Sequence, residues 1–457
     1  MQTTKIFLMA ALALMTAACS NDDNDVQTPA EQPAKAEGIP FTATISIGES
    51  ASTRALTENG TTIEATWATG EKVALIYKVS ATTYLKEAEV TPQGDGTATI
   101  STTLEGSPVD DTDVTIVYPY SAVDESTKDV KTGLLDLQNG LLTGTGSIAE
   151  NYELRKTTTP AKLKIVGTTA SLKGTVSLTN LNAIFKFTLQ DLSAAPKSAT
   201  EFKVSDNSGS VITTVKPGSA SDVLYVALPA MGDGTYWFNA TIDSKPYIAK
   251  ANISTATVAG KYYQTTVKMA TIGDVILANG KFAVAGTDGA RAKICYLGSE
   301  TAEADNGFNH GLALALSDAN GGGGCLWSTS TGNVHTYNAE HSSSFASESG
   351  LQYNAKHNSE IDQYPAFQAA IANNGTAAPT GCSSWFLASG YQWKQMIGAT
   401  GLNNLGLTGN AYYWSSTERD AGSAWIISTL DGGDWGSIAK ADDSVLSLTR
   451  VRACLAF

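Results

Sequence analysis

At 457 residues, with 42% apolar and 16% charged residues, the chain can hold two to four domains with real cores, which excludes a wholly disordered protein. A formal net charge of -14 argues against nucleic acid and anionic lipid as partners, since neither is drawn to an acidic surface without a concentrated basic patch, and the sequence has no such patch. Few charges with abundant Gly and Thr suit a β-rich extracellular protein better than a helical one.

The first residues are laid out as an export signal, with Lys5 followed by an apolar run from Ile6 to Ala18 that is too short to span a bilayer. Ala17-Ala18-Cys19 resembles a lipobox, with Thr16 where an aliphatic residue is usual, so lipidation of Cys19 is expected in preference to a plain secretory signal. The acidic stretch Ser20 to Asp25 resembles the surface-export signals of Bacteroidetes lipoproteins, which implies the outer face of the outer membrane. Residues 1–19 are thus read as signal peptide and 20–38 as a flexible tether, since Pro29, Pro33 and their Ala, Glu and Gln neighbours offer too little apolar surface to fold.

From residue 39 the pattern changes to short alternating runs. "FTATISIG" at 41–48 places Phe41, Ala43, Ile45 and Ile47 on one side, as a half-buried strand does. "KVALIYKV" at 72–79 and "DVTIVYPY" at 113–120 follow, separated by turn residues such as Gly94-Asp95-Gly96. A second set comprises "AKLKIVG" at 161–167, "LNAIFKFTL" at 181–189, "DVLYVALP" at 222–229, "YWFNATI" at 236–242 and "YYQTTVKM" at 262–269. Strands at this spacing, without intervening helical periodicity, argue for β-sandwiches.

The order "FTATI…TRA…WATGEKVALIY…VTIVYPY", then "LNAIFKFTL…YVALPA…YWF…GKYYQTTVKM", resembles the fimbrillin family of Bacteroidetes pilins over about residues 39–270. The resemblance implies two transthyretin-like β-sandwiches, at 39–160 and 161–270. It also implies lipoprotein export and polymerisation with other pilin subunits once a protease cuts after an arginine near the N-terminus. The matching residue is Arg54 in "STRAL". Removal of the strand at 41–47 would leave an unpaired sheet edge and an apolar slot, the physical requirement for strand addition.

Composition shifts near residue 271, after which lie all four histidines, every cysteine except Cys19 and six of eight tryptophans. A third domain is expected over 271–457. "YPAFQAAIANN" at 364–374 and "SGYQWKQMIG" at 389–398 read as helices, the second with Ser389 as N-cap and Trp393, Met396 and Ile397 at helical spacing. The order "GFNHGLALALSDA…CLWS…YPAF…SSWFLASGYQWKQMI…YYWSSTE…AW…RVRACLAF" resembles a C-terminal module with a C-type-lectin-like α+β fold. The resemblance implies that the first strand, "DVILANGKFAV" at 274–284, meets the last, "RVRACLAF" at 450–457, and that "YYWSSTE" is scaffold. Some members of that fold are diversified by retroelements near the C-terminus, and Arg419 to Ser447 has the composition of such a patch. A glycan or protein ligand is therefore expected at Trp425 and Trp435 with Arg419, Asp420, Asp431 and Asp434. Tryptophan faces stack on sugars or fill protein pockets while short polar groups give direction; one of the two tryptophans also suits a core position.

Catalytic readings find no support in the residue pattern. Cys295, Cys325, Cys382 and Cys454 are compatible with one or two disulfides or with buried free thiols, and Cys454 sits in an apolar strand. His310, His335, His341 and His357 lack zinc spacing and read as polar loop residues, while Gly321 to Gly324 form a turn without the lysine of a phosphate cradle. No catalytic residue, cofactor or metal is assigned. The expectation is a pilus-tip adhesin lipoprotein; the alternatives are a structural capping or anchoring subunit and, from another class, an exported enzyme.

Overall fold

The computed structural model describes residues 38–47, 56–64, 66–94, 96–298, 303, 306–331, 349–430 and 435–457. Within them the chain is mainly β, and its strands gather in three successive units.

Alternation in the sequence becomes burial in β1 (Ile39–Ser46), which turns Phe41, Ala43 and Ile45 inward and Thr42 and Thr44 to solvent. A hairpin of β2 (Thr57–Asn59) and β3 (Thr62–Glu64) follows. The chain then runs through β4 (Lys72–Val79), β5 (Thr82–Pro92), β6 (Thr97–Leu104), β7 (Asp113–Tyr118), β8 (Leu137–Gln138), β9 (Arg155–Lys156), β10 (Ala161–Val166), β11 (Thr169–Leu172) and β12 (Val176–Ser177). Pairing in the order β1-β6-β5-β4-β7-β10-β11 returns to β1, so the first unit is a closed ring around one apolar core. Because β10 pairs with β7 and β11 with β1, residues 161–177 lie in the first unit, not at the head of the second, where the sequence reading had put them.

The second unit contains β13 (Thr179–Asn180), which pairs back to β9, then β14 (Asn182–Asp191), β15 (Glu201–Ser205), β16 (Val211–Val215), β17 (Val223–Pro229), β18 (Gly234–Ile242), β19 (Lys245–Ile253) and β20 (Tyr262–Thr271). Their order is β17-β14-β20-β19-β18-β15-β16-β8. The last member is lent by the earlier chain: Gln138 bridges to Ala227 of β17 in both directions, at 2.8 and 2.9 Å, and Tyr225 N donates to Gly140 O at 2.9 Å. Both units are therefore barrel-like.

The third unit holds β21 (Val275–Leu277), β22 (Phe282–Ala283), β23 (Ala290–Leu297), β24 (Gly311–Ala315), α1 (Gly350–Lys356), α2 (Pro365–Ala372), β25 (Phe386–Leu387), α3 (Gly390–Thr400), β26 (Tyr412–Glu418), β27 (Ser423–Ser428), β28 (Trp435–Ala439), β29 (Thr449–Arg450) and β30 (Ala453–Ala456). One sheet is ordered β22-β21-β23-β24-β30-β25 and the other β28-β27-β26-β29. The anticipated pairing of 274–284 with the final strand does not form, because β23 and β24 intervene; the rings of Phe282 and Phe457 lie 5.7 Å apart. α3 has the expected start, with Ser389 and Gln392 in a reciprocal capping box and Trp393 and Met396 buried. Trp237, Ile248 and Ala270 of the second unit join the main core of the third, so burial continues across that junction.

Candidate functional site

β1 is hydrogen-bonded on both sides. It runs antiparallel to β6 from Ile39↔Leu104 to Ser46↔Thr97, and parallel to β11 and β12 through Phe41↔Ala170 and Ile45↔Val176. Its inward side chains share a core with Val73, Leu75, Ile100, Ile116 and Leu163. Taking β1 out would expose two facing backbone edges and the apolar trench between them.

The downstream end of β1 is held by a buried charge cluster. Ile47 O accepts from Arg155 Nη1 at 2.7 Å. Arg155 Nε donates to Glu153 Oε1 at 2.9 Å, and Nη2 reaches the same oxygen. Arg155 and Glu153 are 2% and 4% exposed, yet Glu153 Oε2 has no hydrogen-bond partner. Burial pushes the Glu153 carboxyl up to about 6, with Arg155 opposing the rise and the nearby Glu71 adding to it. Glu71, fully buried, accepts from Tyr118 OH and from Ala68 N, each at 3.1 Å.

The β2–β3 hairpin docks on the second unit. Both Glu58 oxygens accept from Lys186 Nζ at 2.8 Å, and Tyr225 OH and Tyr262 OH add bonds of 2.6 and 2.9 Å. Lys186 first, then Tyr225, holds the Glu58 carboxyl below its ordinary value. Leu56 is buried with Ile148 and Ala227, and half-buried Ile63 packs beside them. A cavity of about 40 Å³ remains between hairpin and body, its wall including Leu56, Ile63, Glu153, Arg155, Lys261 and Tyr262.

In the third unit, register decides what the candidate ligand residues present. Trp425 lies opposite Ser437 and Ile427 opposite Trp435, so these four share one face of the β27–β28 pair. Trp425 is only 6% exposed, and exposed Arg419 lies over its ring at 6.0 Å while donating to Ser437 Oγ at 2.8 Å. Trp425 therefore supports the strip from below instead of offering a ring to solvent. Trp435 is half-buried against the core of Tyr413 and Ile427. Asp420 is tied into its own turn: Gly422 N donates to it, and the Ser423 hydroxyl contributes most to holding its carboxyl low. "YYWSSTE" is indeed scaffold: Tyr413 OH donates to Asp318, and Trp414 Nε1 to Cys325 O at 2.8 Å.

Two ion clusters elsewhere in the third unit had no sequence signal. Glu418 and Lys440 are wholly buried and paired, with Lys440 also donating to Ala421 O at 3.1 Å. Asp318 binds Arg450 at 3.2 Å and Arg452 at 2.7 Å, and accepts from Thr408 Oγ1 at 2.6 Å. Removing one partner of such a buried pair strands the other charge, at a cost of about 3–5 kcal/mol.

Cys19, Arg54, Asp431, Asp434, His335 and His341 lie outside the described residues. Cys295, Cys325, Cys382 and Cys454 are free thiols, so neither disulfide forms. His310 and His357, expected in polar loops, are buried: His310 stacks on Trp237 at 3.7 Å and His357 sits against Tyr364 and Phe367. Among the described residues no group of His, Cys, Asp and Glu could hold a metal ion.

No protein-family model and no curated protein matches the chain. Solved structures to which it is similar include a fimbrial protein from Bacteroides ovatus, at 14% identity over 92% of this chain and 99% of that one, with a TM-score of 0.31. Another is a fimbrial assembly protein from Parabacteroides distasonis, at 14% identity over 50% of this chain and 90% of that one, with a TM-score of 0.27.

Proposed function

We propose that the chain is a fimbrial subunit of adhesin type, carried to the cell surface as a lipoprotein through Cys19. On this reading the first two units are transthyretin-like β-sandwich modules and the third is a C-type-lectin-like module. A protease cuts after Arg54, β1 leaves, and a strand from another pilin subunit takes its place. The face around Arg419, Ser437 and Trp435 contacts an extracellular glycan or protein. No catalytic step or cofactor is part of this function.

The observation that carries the reading is the place of β1, an eight-residue strand paired on both sides within a closed ring and followed by the segment that contains Arg54. Its departure opens a slot of the shape a donor strand fills. β30, by contrast, is held between β24 and β25 and is not a spare strand to donate, which favours a tip position. The test is to treat the purified chain with an arginine-specific protease and add a labelled peptide of residues 39–47. Uptake only after cutting supports the reading; no uptake by the cut chain sinks it. Binding of the full chain to a glycan array and to epithelial surfaces, lost in Trp435→Ala, tests the ligand face.

A further inference from the structure

Where the second and third units meet, a cavity of about 250 Å³ is walled by β15, β18 and β19 on one side and by the end of β23 and the approach to β24 on the other. Two residues of the wall carry a buried polar atom without a hydrogen-bond partner, Asn309 at Oδ1 and His310 at Nε2. Their directions are fixed. Asn309 Nδ2 donates to Ser208 O at 2.9 Å, and Gly209, at φ +85°, leaves the room this amide takes, since a Cβ there would stand 2.1 Å from Nδ2. His310 is 6% exposed, with its ring stacked on Trp237 at 3.7 Å. Glu201 and Lys203 of the same wall pair with each other at 2.8 Å, so their charges cancel where they stand. Burial keeps the His310 imidazole neutral. The wall is short of hydrogen-bond partners and has no charge left to balance.

Space and chemistry together select the occupant. The volume is roughly eight times the ~30 Å³ share of one water and lies below the ~300–1,000 Å³ of sites for drug-sized ligands, which suits a single small ring. An amide oxygen accepts, and a neutral imidazole nitrogen accepts or donates according to its tautomer, so a hydroxyl, which does both, serves either atom. Tyr247, half-buried on the same wall, offers an aromatic ring for the apolar face of such a ligand. We propose that this junction cavity binds one uncharged sugar unit, with hydroxyls on Asn309 Oδ1 and His310 Nε2 and its ring face on Tyr247. A charged sugar gains nothing here, because Glu201 and Lys203 already neutralise each other. The site is separate from the strip at Arg419 and Trp435 and does not depend on cleavage after Arg54.

The test uses the full chain and saturation-transfer NMR with the methyl glycosides of glucose, galactose, mannose, fucose and N-acetylglucosamine, beside glycerol as a small polyol and acetate and methylammonium as charged controls. At least one glycoside should bind saturably with a Kd of about 1 mM or tighter. Hydrogen exchange should then slow in peptides from 201–211 and 239–247, which contribute to the wall. Asn309→Ala and His310→Phe should each weaken binding at least ~10-fold. Asn309 is a half-buried loop residue, so its variant covers the case in which His310→Phe does not fold. No glycoside bound at about 20 mM, glycerol or a charged control bound as well as the best glycoside, protection confined to 423–439, or an affinity unchanged in Asn309→Ala overturns the inference.

Discussion

Phe41→Ala measures how firmly the slot holds its strand. Phe41 is 1% exposed and lies between Thr102 of β6 and Ala170 of β11. Truncation returns on the order of 150 Å² of apolar surface, worth about 4 kcal/mol at ~25 cal/mol per Å², inside the ~3–5 kcal/mol typical of buried phenylalanines. The loss should fall on the first unit, because the rings around Phe187 and Phe202 belong to a separate core. A chain of several units does not unfold in two states, so a single melting temperature would blur the result. Hydrogen exchange read peptide by peptide resolves it. Protection in β6 and β11 should drop about a thousandfold, the equivalent of ~4 kcal/mol. Peptides from β15 and β18 should be unchanged. Thr42→Ala, on the solvent side of the same strand, is the control and should stay within about 0.5 kcal/mol. A drop in β6 protection of less than about 1 kcal/mol, or an equal loss in Thr42→Ala, would refute the claim that the inward side chains of β1 hold the ring shut.

In the third unit, Trp425→Ala should cost about 3–5 kcal/mol of stability by denaturant titration, whereas Trp435→Ala should cost less and remove ligand binding. Burial, with help from Lys250, pushes the His310 imidazole down to about 4 from 6.5. Between those values the unfolded chain binds the proton more readily, so stability present above pH 6.5 is lost as pH falls towards 4, by about 3 kcal/mol at most. Exchange at the junction of the second and third units should rise over that window, and His310→Gln should flatten the dependence. The thiols of Cys295 and Cys325 are pushed up to about 12 by burial and that of Cys382 to about 11, so an aromatic disulfide reagent at pH 8 should leave them unlabelled in native protein and react after denaturation.

Local patterns were legible in the sequence because they are short. Alternation gave β1, runs of β-branched and aromatic residues gave β4, β14 and β17, and Ser389 as N-cap gave α3 its start. α1 has no signal in the sequence because "GLQYNAK" carries no apolar stripe; capping by Ser349 and contacts of Leu351 and Tyr353 define it. Features that join distant segments left no local trace. Arg155 and Ile47 are 108 residues apart, and β8 closes a unit that begins some forty residues later by way of Gln138 and Ala227, 89 apart. Gly324 reads as part of a flexible run, yet a Cβ there would sit 1.5 Å from the Leu446 carbonyl oxygen, so the glycine permits a close backbone approach. Trp425 and Trp435 are equivalent in composition, and only the register of β27 against β28 separates support from surface.

A cut after Arg54 leaves the eight-residue ladder between β1 and β6 intact, so its expected effect on β1 comes from connectivity. While β1 is part of the same chain as its slot, it rebinds as an intramolecular ligand at an effective concentration of about millimolar. Hydrolysis turns that event into a bimolecular one. A strand of similar affinity then displaces β1 as soon as the released segment is diluted below it, although the eight-residue ladder with β6 and the buried Phe41, Ala43 and Ile45 are unaltered. Exchange in cut protein should therefore slow when a peptide of residues 39–47 is added back at about millimolar concentration, and proceed when it is removed by dialysis. Uncut protein should exchange slowly under both conditions. Equal exchange of a labelled donor strand into cut and uncut chains would mean that β1 leaves by local opening alone and that cleavage has no part in freeing the slot.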